Sequence, residues 1–193
     1  VEIYAEVFIE YPVLEIPGDD TVFDFGNSTT EVPVVIRNAG QSTLFWSLDT
    51  SEIPEYLEFE LDSGSIPWSD EQVRFIVTLD RSLAPTGTFT VNVPLIGRDS
   101  NNATVVNTVT DDKSPVTLTF TGNVDPPSLS VNLSTVDFGA AASSETIEIQ
   151  NVGDGTLYWT IDTSDAGWPD WIKSVSKEEG FLGSGASVQV SIS

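Results

Sequence analysis

The chain has 193 residues, with 30 acidic against 7 basic side chains and a formal net charge of -23 at pH 7. This negative field repels polyanions, so the composition disfavours nucleic acid and anionic membrane surfaces as partners. The absence of Cys, His and Met excludes disulfides, thiolate metal sites and His- or Cys-based catalysis, and leaves oxygen-liganded ions such as calcium as the metal class to consider.

The first ten residues predict a strand. Apolar side chains alternate with Glu2, Glu6 and Glu10, which places one apolar face against one mostly acidic face. The residues of the apolar face are Val1, Ile3, Ala5, Val7 and Ile9. The chain begins at Val1 and has no apolar run of about 18 residues, so we expect a mature or excised form without a membrane span.

Further along, the same period of two predicts a series of half-buried strands. Val and Thr are enriched, and no stretch of useful length carries a helical stripe. The alternating apolar sets are Val32-Val34-Ile36, Leu44-Trp46-Leu48, Val73-Phe75-Val77, Phe89-Val91-Val93-Leu95 and Val116-Leu118-Phe120. Short strands separated by turns are typical of antiparallel β-sandwiches of the immunoglobulin-like kind.

An internal repeat divides the chain. Residues 25–50 and 138–163 align without a gap at an offset of 113, and ten of the 26 positions are identical. The identical pairs include Phe25/Phe138, Asn38/Asn151, Gly40/Gly153, Trp46/Trp159 and Asp49/Asp162. In each copy an Asn-x-Gly triplet lies between two strands, where Asn and Gly are expected to supply positive φ for a tight turn.

We therefore predict three parts: an extra strand at 1–10, an immunoglobulin-like sandwich at 11–125, and a second sandwich at 126–193. Pro126 and Pro127 stiffen the connection, because proline lacks a backbone donor and fixes φ. The second copy reaches only the counterpart of Val77, so it lacks its last strands. A sandwich without those strands exposes apolar core and backbone edges.

Three interpretations of the unmatched strands remain open. The chain could be a segment of a longer tandem array. Alternatively, residues 1–10 of one subunit could complete the second sandwich of a neighbour, which would propagate as a filament. In the third interpretation the extra strand pairs within its own chain, and its glutamates protect a solvent-facing edge.

A set of turn glycines and core aromatics resembles the BACON-type immunoglobulin-like domains of bacterial extracellular proteins, and the related Hydin-like family. The residues are Leu129-Ser130-Val131, Val136-Asp137-Phe138-Gly139, Asn151-x-Gly153, Leu157-x-Trp159, Trp171-Ile172 and Gly180, together with Leu79–Pro85, Gly87 and Phe89 of the first copy. The resemblance implies repeated extracellular spacers, many of which accompany carbohydrate-active modules. The first copy departs from it, because Tyr56 stands where the second has Trp171.

The tryptophans fall into two classes. Trp46 and Trp159 share a face with leucine or isoleucine neighbours and are expected to be buried in the two cores. Trp68, Trp168 and Trp171 lie beside prolines and acidic residues in predicted loops. There they are expected to pack at the ends of the sandwiches, or alternatively to form a stacking platform for a sugar ring.

Acidic clusters and glycosylation triplets provide further candidates. Five aspartates could contribute oxygen ligands to calcium, although their spacing matches no EF-hand loop. They are Asp19, Asp20, Asp111, Asp112 and Asp125. Three Asn-x-Ser/Thr triplets begin at Asn27, Asn102 and Asn132, and each is expected in a loop or at a strand edge where a glycan would fit.

The sequence thus predicts a non-enzymatic, acidic, extracellular or cell-surface protein with no cofactor other than a candidate calcium ion. Its tandem modules would form a spacer, an adhesin stalk or a surface filament. The expected partners are further copies or further immunoglobulin-like domains. The alternative is a carbohydrate-binding module that uses the loop tryptophans, with glycans as partners.

Overall fold

A computed structural model describes residues 11–68, 71–140, 142–164 and 167–193. Over this part of the chain the regular structure is strand, with a single 3-10 turn at Pro17–Asp19 and no α-helix. In the same part, no helix is long and apolar enough to cross a membrane. The all-β prediction is confirmed.

The chain divides into two compact units. The first contains the described residues up to Leu79 together with Phe89–Gly122, and the second contains Asp80–Thr88 together with Asn123–Ser193. Nine strands belong to the first copy of the repeat: β1 (Leu14–Glu15), β2 (Val22–Asp24), β3 (Glu31–Asn38), β4 (Leu44–Leu48), β5 (Leu57–Phe59), β6 (Ser63–Ile66), β7 (Gln72–Leu79), β8 (Gly87–Arg98) and β9 (Val116–Val124).

These nine strands form the two layers of a sandwich. One sheet has the order β1-β3-β7-β5, and the other has the order β2-β9-β8-β4-β6. β2 pairs in parallel with β9, with Phe23 opposite Phe120, while β3 and β7 pair antiparallel over seven residues. The alternating apolar residues face inward, and Val34, Ile36, Phe75 and Val77 are fully buried. The predicted antiparallel sandwich is confirmed for the first copy.

The second copy has five strands: β10 (Leu129–Val131), β11 (Glu145–Asn151), β12 (Leu157–Thr160), β13 (Glu179–Leu182) and β14 (Ser187–Ile192). They form a sheet of order β10-β11-β14 and a separate pair, β12-β13. By the repeat alignment they correspond to β1, β3, β4, β6 and β7. Within the described residues the second copy has no counterpart of β8 or β9, as the sequence predicted.

The Asn-x-Gly triplets do not form the turn that the sequence predicted. Gly40 and Gly153 are absent from the residues with positive φ, so conformational freedom is not the reason for glycine. A Cβ on Gly40 would instead fall on the carbonyl oxygen of Tyr11, and one on Gly153 would fall on that of Pro126. Glycine is required because another backbone segment passes directly over it.

The asparagine of the first triplet is buried and joins several segments. Asn38 Oδ1 accepts hydrogen bonds from the amides of Val13 and Gly40, at 3.3 and 3.0 Å. Its Nδ2 donates to the carbonyl oxygens of Ser42 and Ile66, at 2.7 and 3.2 Å. Asn38 therefore links β3 to the segment before β1, to the β3–β4 connection and to the end of β6.

Asn151 repeats this arrangement in the second unit. Its Oδ1 accepts from the amides of Ser128 and Gly153, at 3.0 and 3.1 Å. Its Nδ2 donates to the carbonyl oxygens of Gly155 and Leu182, at 3.0 and 3.2 Å. The Asn-x-Gly triplet thus has the same structural role in both units, because its asparagine joins several backbone segments by hydrogen bonds. This shared role accounts for its identity in both copies.

Candidate functional site

The main difference between the two units lies along one edge of β12. In the first unit β4 is an inner strand, with β6 on one side and β8 on the other. Its counterpart β12 pairs with β13, the counterpart of β6, and with no other strand in the described part of the chain. The edge of β12 that corresponds to the β8 side is therefore open.

The backbone groups at this edge can be assigned by comparison. The Leu48 amide donates to Asp62 O on the β6 side, whereas the next amide, that of Asp49, donates to Pro94 O in β8. In the second unit the Ile161 amide donates to Glu178 O, on the β13 side. Because donors alternate along a strand, the backbone groups of Tyr158 and Thr160 point to the open edge.

Side chains near this edge are less buried than their counterparts. Phe25, Leu44 and Leu48 are buried in the first unit. The matching Phe138, Leu157 and Ile161 are half-buried and flank the small core of the second unit. That core consists of Ile147, Ile149, Trp159, Leu182, Val190 and Ile192. The same apolar positions thus have less cover in the second unit.

Aromatic contacts show which residue of β8 shields these side chains from solvent in the first unit. There Phe89 of β8 contacts Phe25 and Tyr56, with ring centroids 6.3 and 5.6 Å apart. In the second unit the counterparts of Phe25 and Tyr56 contact each other instead: Phe138 and Trp171 meet edge to face at 5.6 Å. Trp171 stays largely exposed because no strand of the described chain lies over it.

The two strand tryptophans are buried, as predicted. Trp46 stacks on Phe75 with centroids 5.5 Å apart and an interplanar angle of 7°. Trp159 lies opposite Gly180 of β13, and the ammonium group of Lys177 stands 5.8 Å from its ring centroid. A lysine over an indole ring is a cation–π contact.

The predicted sugar-platform residues are divided between the two units. Trp68 belongs to the first unit and Trp171 to the second, and each residue is 63% exposed. Trp168 is half-buried. Exposed indole faces are available in both units, and their role in binding sugar stays a prediction.

The five aspartates are exposed, four of them in the first unit and Asp125 in the second. Among the described residues no group of three or more acidic side chains could hold a metal ion. Asp19 accepts a hydrogen bond from the Thr108 hydroxyl, and Asp125 accepts one from Asn123 Nδ2. The hydroxyl of Thr110, and then the Ser114 amide, lower the pKa of Asp112 below its ordinary value. These hydrogen bonds indicate that Asp112 stabilises the loop that contains it.

The three triplet asparagines are all exposed. Asn102 lies in a turn with φ of 65°, and Asn132 Oδ1 accepts a hydrogen bond from the Glu148 amide at 2.8 Å. Asn27 lies in the turn after β2. Glycosylation at these residues stays a prediction. The predicted donor residues, Val1, Ile3, Ala5, Val7 and Ile9, lie outside the described part of the chain.

One surface feature was missed from the sequence. Tyr158 and Phe181 are cross-strand partners on the outer face of the β12-β13 pair, 79% and 71% exposed, with centroids 6.4 Å apart. The alignment of Tyr158 with Phe45, itself exposed, could have revealed an outward position. The partner Phe181 has no such signal, because its counterpart Ser65 is polar.

Comparisons with known proteins do not identify a family. No family model matches the chain, and no curated protein matches it. A Porphyromonas gingivalis W83 protein of unknown function is similar at a TM-score of 0.33 and 14% identity, over 93% of this chain and 78% of that one. The E. coli chaperone DraB is similar at 0.40 and 8%, over 94% and 85%. The Calx CBD1 domain is similar at 0.42 and 12%, over 61% and 100%. At these scores the similarities support no conclusion about function.

Proposed function

We propose that this chain is a non-enzymatic structural module of an extracellular protein, in which the second unit is completed by β-strand addition. The observation that supports this proposal is the open edge of β12. It is accompanied by the reduced burial of Phe138, Leu157 and Ile161 relative to their counterparts in the first unit. Strands added on this side, in the places of β8 and β9, would pair with the free backbone groups of β12 and with each other, and would bury apolar surface at once.

Residues 1–10 of a neighbouring copy are the donor of the strand in the place of β9 in this proposal. They align with β9 at an offset of 115, the same offset that relates Pro12 to Pro127 and Leu14 to Leu129. The inward positions of β9 are Val116, Leu118, Phe120, Gly122 and Val124, and the donor residues at those positions are Val1, Ile3, Ala5, Val7 and Ile9. The donor therefore has the apolar alternation of the strand that it would replace.

Strand direction supports head-to-tail addition. In the first unit β1 pairs with the end of β3, through Leu14 and Asn38. The end of β9 lies beside Phe25, whose amide donates to Thr121 O. Phe25 precedes the start of β3 in the sequence, so β9 ends on the side of the unit where β3 begins. The chain therefore enters and leaves that unit at opposite ends. A donor strand in the position of β9 would add copies in one direction, which is a heterologous contact that propagates.

Deleting residues 1–10 is the direct test. We expect the full chain to self-associate and the deleted chain to remain monomeric, as measured by sedimentation velocity. Ile3→Asp with Val7→Asp should weaken association at least about tenfold, because two charges would face an apolar core. The matched control, Glu2→Gln with Glu6→Gln, changes the outward face and should leave association intact. An intact chain that stays monomeric at every accessible concentration would contradict the proposal.

Carbohydrate binding is the second candidate, and the exposed rings of Trp68 and Trp171 favour it. If either ring stacks on a sugar, a glycan panel should change the tryptophan fluorescence, and the matching Trp→Ala variant should abolish that change. Trp159→Phe serves as the control, because this ring is buried. Failure of every glycan to change the fluorescence would remove this candidate.

A further inference from the structure

In the first unit β8 and β9 act together with the segment that joins them. β8 covers the edge of β4, while the joining segment covers β1: the Leu14 amide donates to Val106 O at 3.1 Å, and the Thr108 amide donates to Leu14 O at 3.0 Å. Leu14 and Ile16 are each 2% exposed as a result. The hairpin thus closes both sheets of the sandwich.

The second unit is open at both corresponding places. Leu129 and Val131, the counterparts of Leu14 and Ile16, are 57% and 40% exposed. β10 pairs with β11 on one side and with no other strand among the residues described. A lone strand in the position of β9 would cover neither β10 nor the edge of β12, because in the first unit β8 and the joining segment cover these edges.

We propose that the open side of the second unit binds a complete β-hairpin with an ordered connecting segment, equivalent to β8–β9, in which the proposed donor residues 1–10 would hold only the place of the second strand. This inference rests on the proposed function only in that the same open side of the second unit is the binding surface. It names the occupant by its chemistry: a first strand with apolar alternation and a glycine near its end, a connecting segment that pairs with β10, and a second apolar strand.

The glycine requirement follows from the first unit. Gly97 of β8 lies opposite Trp46, and a Cβ there would come within 2.9 Å of Val105 Cγ2 in the hairpin itself, 3.1 Å of Leu14 Cβ and 3.2 Å of Leu44 Cδ1. In the second unit Leu129 and Leu157 hold these two positions. A bulky residue opposite Trp159 would keep the incoming strand away from both leucines, and so from the edge of β12.

The connecting segment in the first unit is organised by one buried asparagine. Asn107 Nδ2 donates to Thr110 Oγ1, Asp112 O and Ser114 O, at 2.8, 3.2 and 2.8 Å. The Asn107 amide also donates to Asp112 O at 2.9 Å. A hairpin that carries this segment presents Val106 and Thr108 to the neighbouring strand with little further ordering, which lowers the entropic cost of binding.

The test is a synthetic peptide of residues 87–124 added to the full chain. We expect a complex with one peptide per chain, and hydrogen-exchange mass spectrometry should show protection of Tyr158, Thr160 and Leu129. The peptide with Gly97→Leu should bind at least about tenfold more weakly. A second experiment repeats residues 87–124 after Ser193 in the full chain, and the same amides should become protected.

Three results would overturn the inference. One is a lack of protection at β10 and β12 in both experiments. Another is equal binding by the Gly97→Leu peptide. The third is equally tight binding by a peptide of residues 116–124, which would show that a lone strand suffices. Each is independent of the deletion of residues 1–10: binding of the hairpin with no effect of the deletion would leave this inference standing while the donor proposal fails.

Discussion

Replacing Asn38 with alanine is expected to lower the free energy of unfolding of the first unit by about 3–5 kcal/mol. The substitution removes the acceptor of the Val13 and Gly40 amides and a donor to the carbonyl oxygens of Ser42 and Ile66, and all four hydrogen bonds are buried or part-buried. A buried polar group that loses its partner costs about 1–3 kcal/mol, partly offset by relaxation and by water. The measurement is chemical denaturation of the full chain, with hydrogen exchange used to assign the loss to the first unit.

Asn38→Asp separates this explanation from a simple loss of packing. A carboxylate has nearly the same shape, but it cannot donate to Ser42 O and Ile66 O and would face both with like partial charge. We expect a loss at least as large as that of the alanine variant above pH 6, since an unpaired charge would be buried. Asn101→Ala, at an exposed turn position, is the control and should change stability by less than about 0.5 kcal/mol. A loss below about 1 kcal/mol for Asn38→Ala would contradict the role assigned to this side chain.

The strands could be predicted because their signal is local. The alternation in β3 and β7 reports burial directly, since side chains of a strand point in turn to the core and to solvent. The repeat then extended each assignment from one copy to the other. The absence of counterparts of β8 and β9 among the described residues also follows from the alignment of Val190 and Ile192 with Phe75 and Val77.

The role of the Asn-x-Gly triplet could not be predicted in the same way. A turn between two strands is where Asn and Gly usually supply positive φ, so local reasoning gave the wrong explanation. The groups that require these residues are distant in sequence: Val13 lies 25 residues before Asn38, and Ile66 lies 28 residues after it. Only the folded chain brings them together.

The sequence predicted that the second unit has an open side, but it did not predict that this side includes β10 as well as β12. Missing strands implied an open side, but the exposure of Leu129 and Val131 depends on which segment covers β1 in the first unit. The sequence did not lead us to predict a strand in that segment, around Val106. The resemblance to BACON-type domains stays a prediction as well, because no comparison tests it.

The second large effect is expected for Gly153→Ala. An added Cβ would fall on Pro126 O and lie 2.8 Å from the Ser128 amide nitrogen. Both are backbone atoms, so no side-chain rotation relieves the contact, and residues 126–128 must move away from Gly153 and from the Asn151 side chain. The hydrogen bond from the Ser128 amide to Asn151 would then be lost together with the pairing of β10. We expect the second unit to lose about 3 kcal/mol or more.

The same substitution at Gly40 introduces the same clash in the first unit, against Tyr11 O, yet the outcomes should differ. The first unit has a core of many fully buried side chains, whereas in the second only Val190 of the core cluster is fully buried. A unit with a smaller core has less stability to lose. Gly153→Ala should therefore unfold the second unit at 25 °C, whereas Gly40→Ala should leave a folded but weakened first unit.

Gly183→Ala is the matched control, since its nearest neighbour would be Ser82 Cβ at 3.9 Å. Hydrogen exchange across β11 and β3 distinguishes the two outcomes, and equal protection of β11 in the Gly153→Ala and Gly183→Ala variants would contradict the close approach of the two backbones.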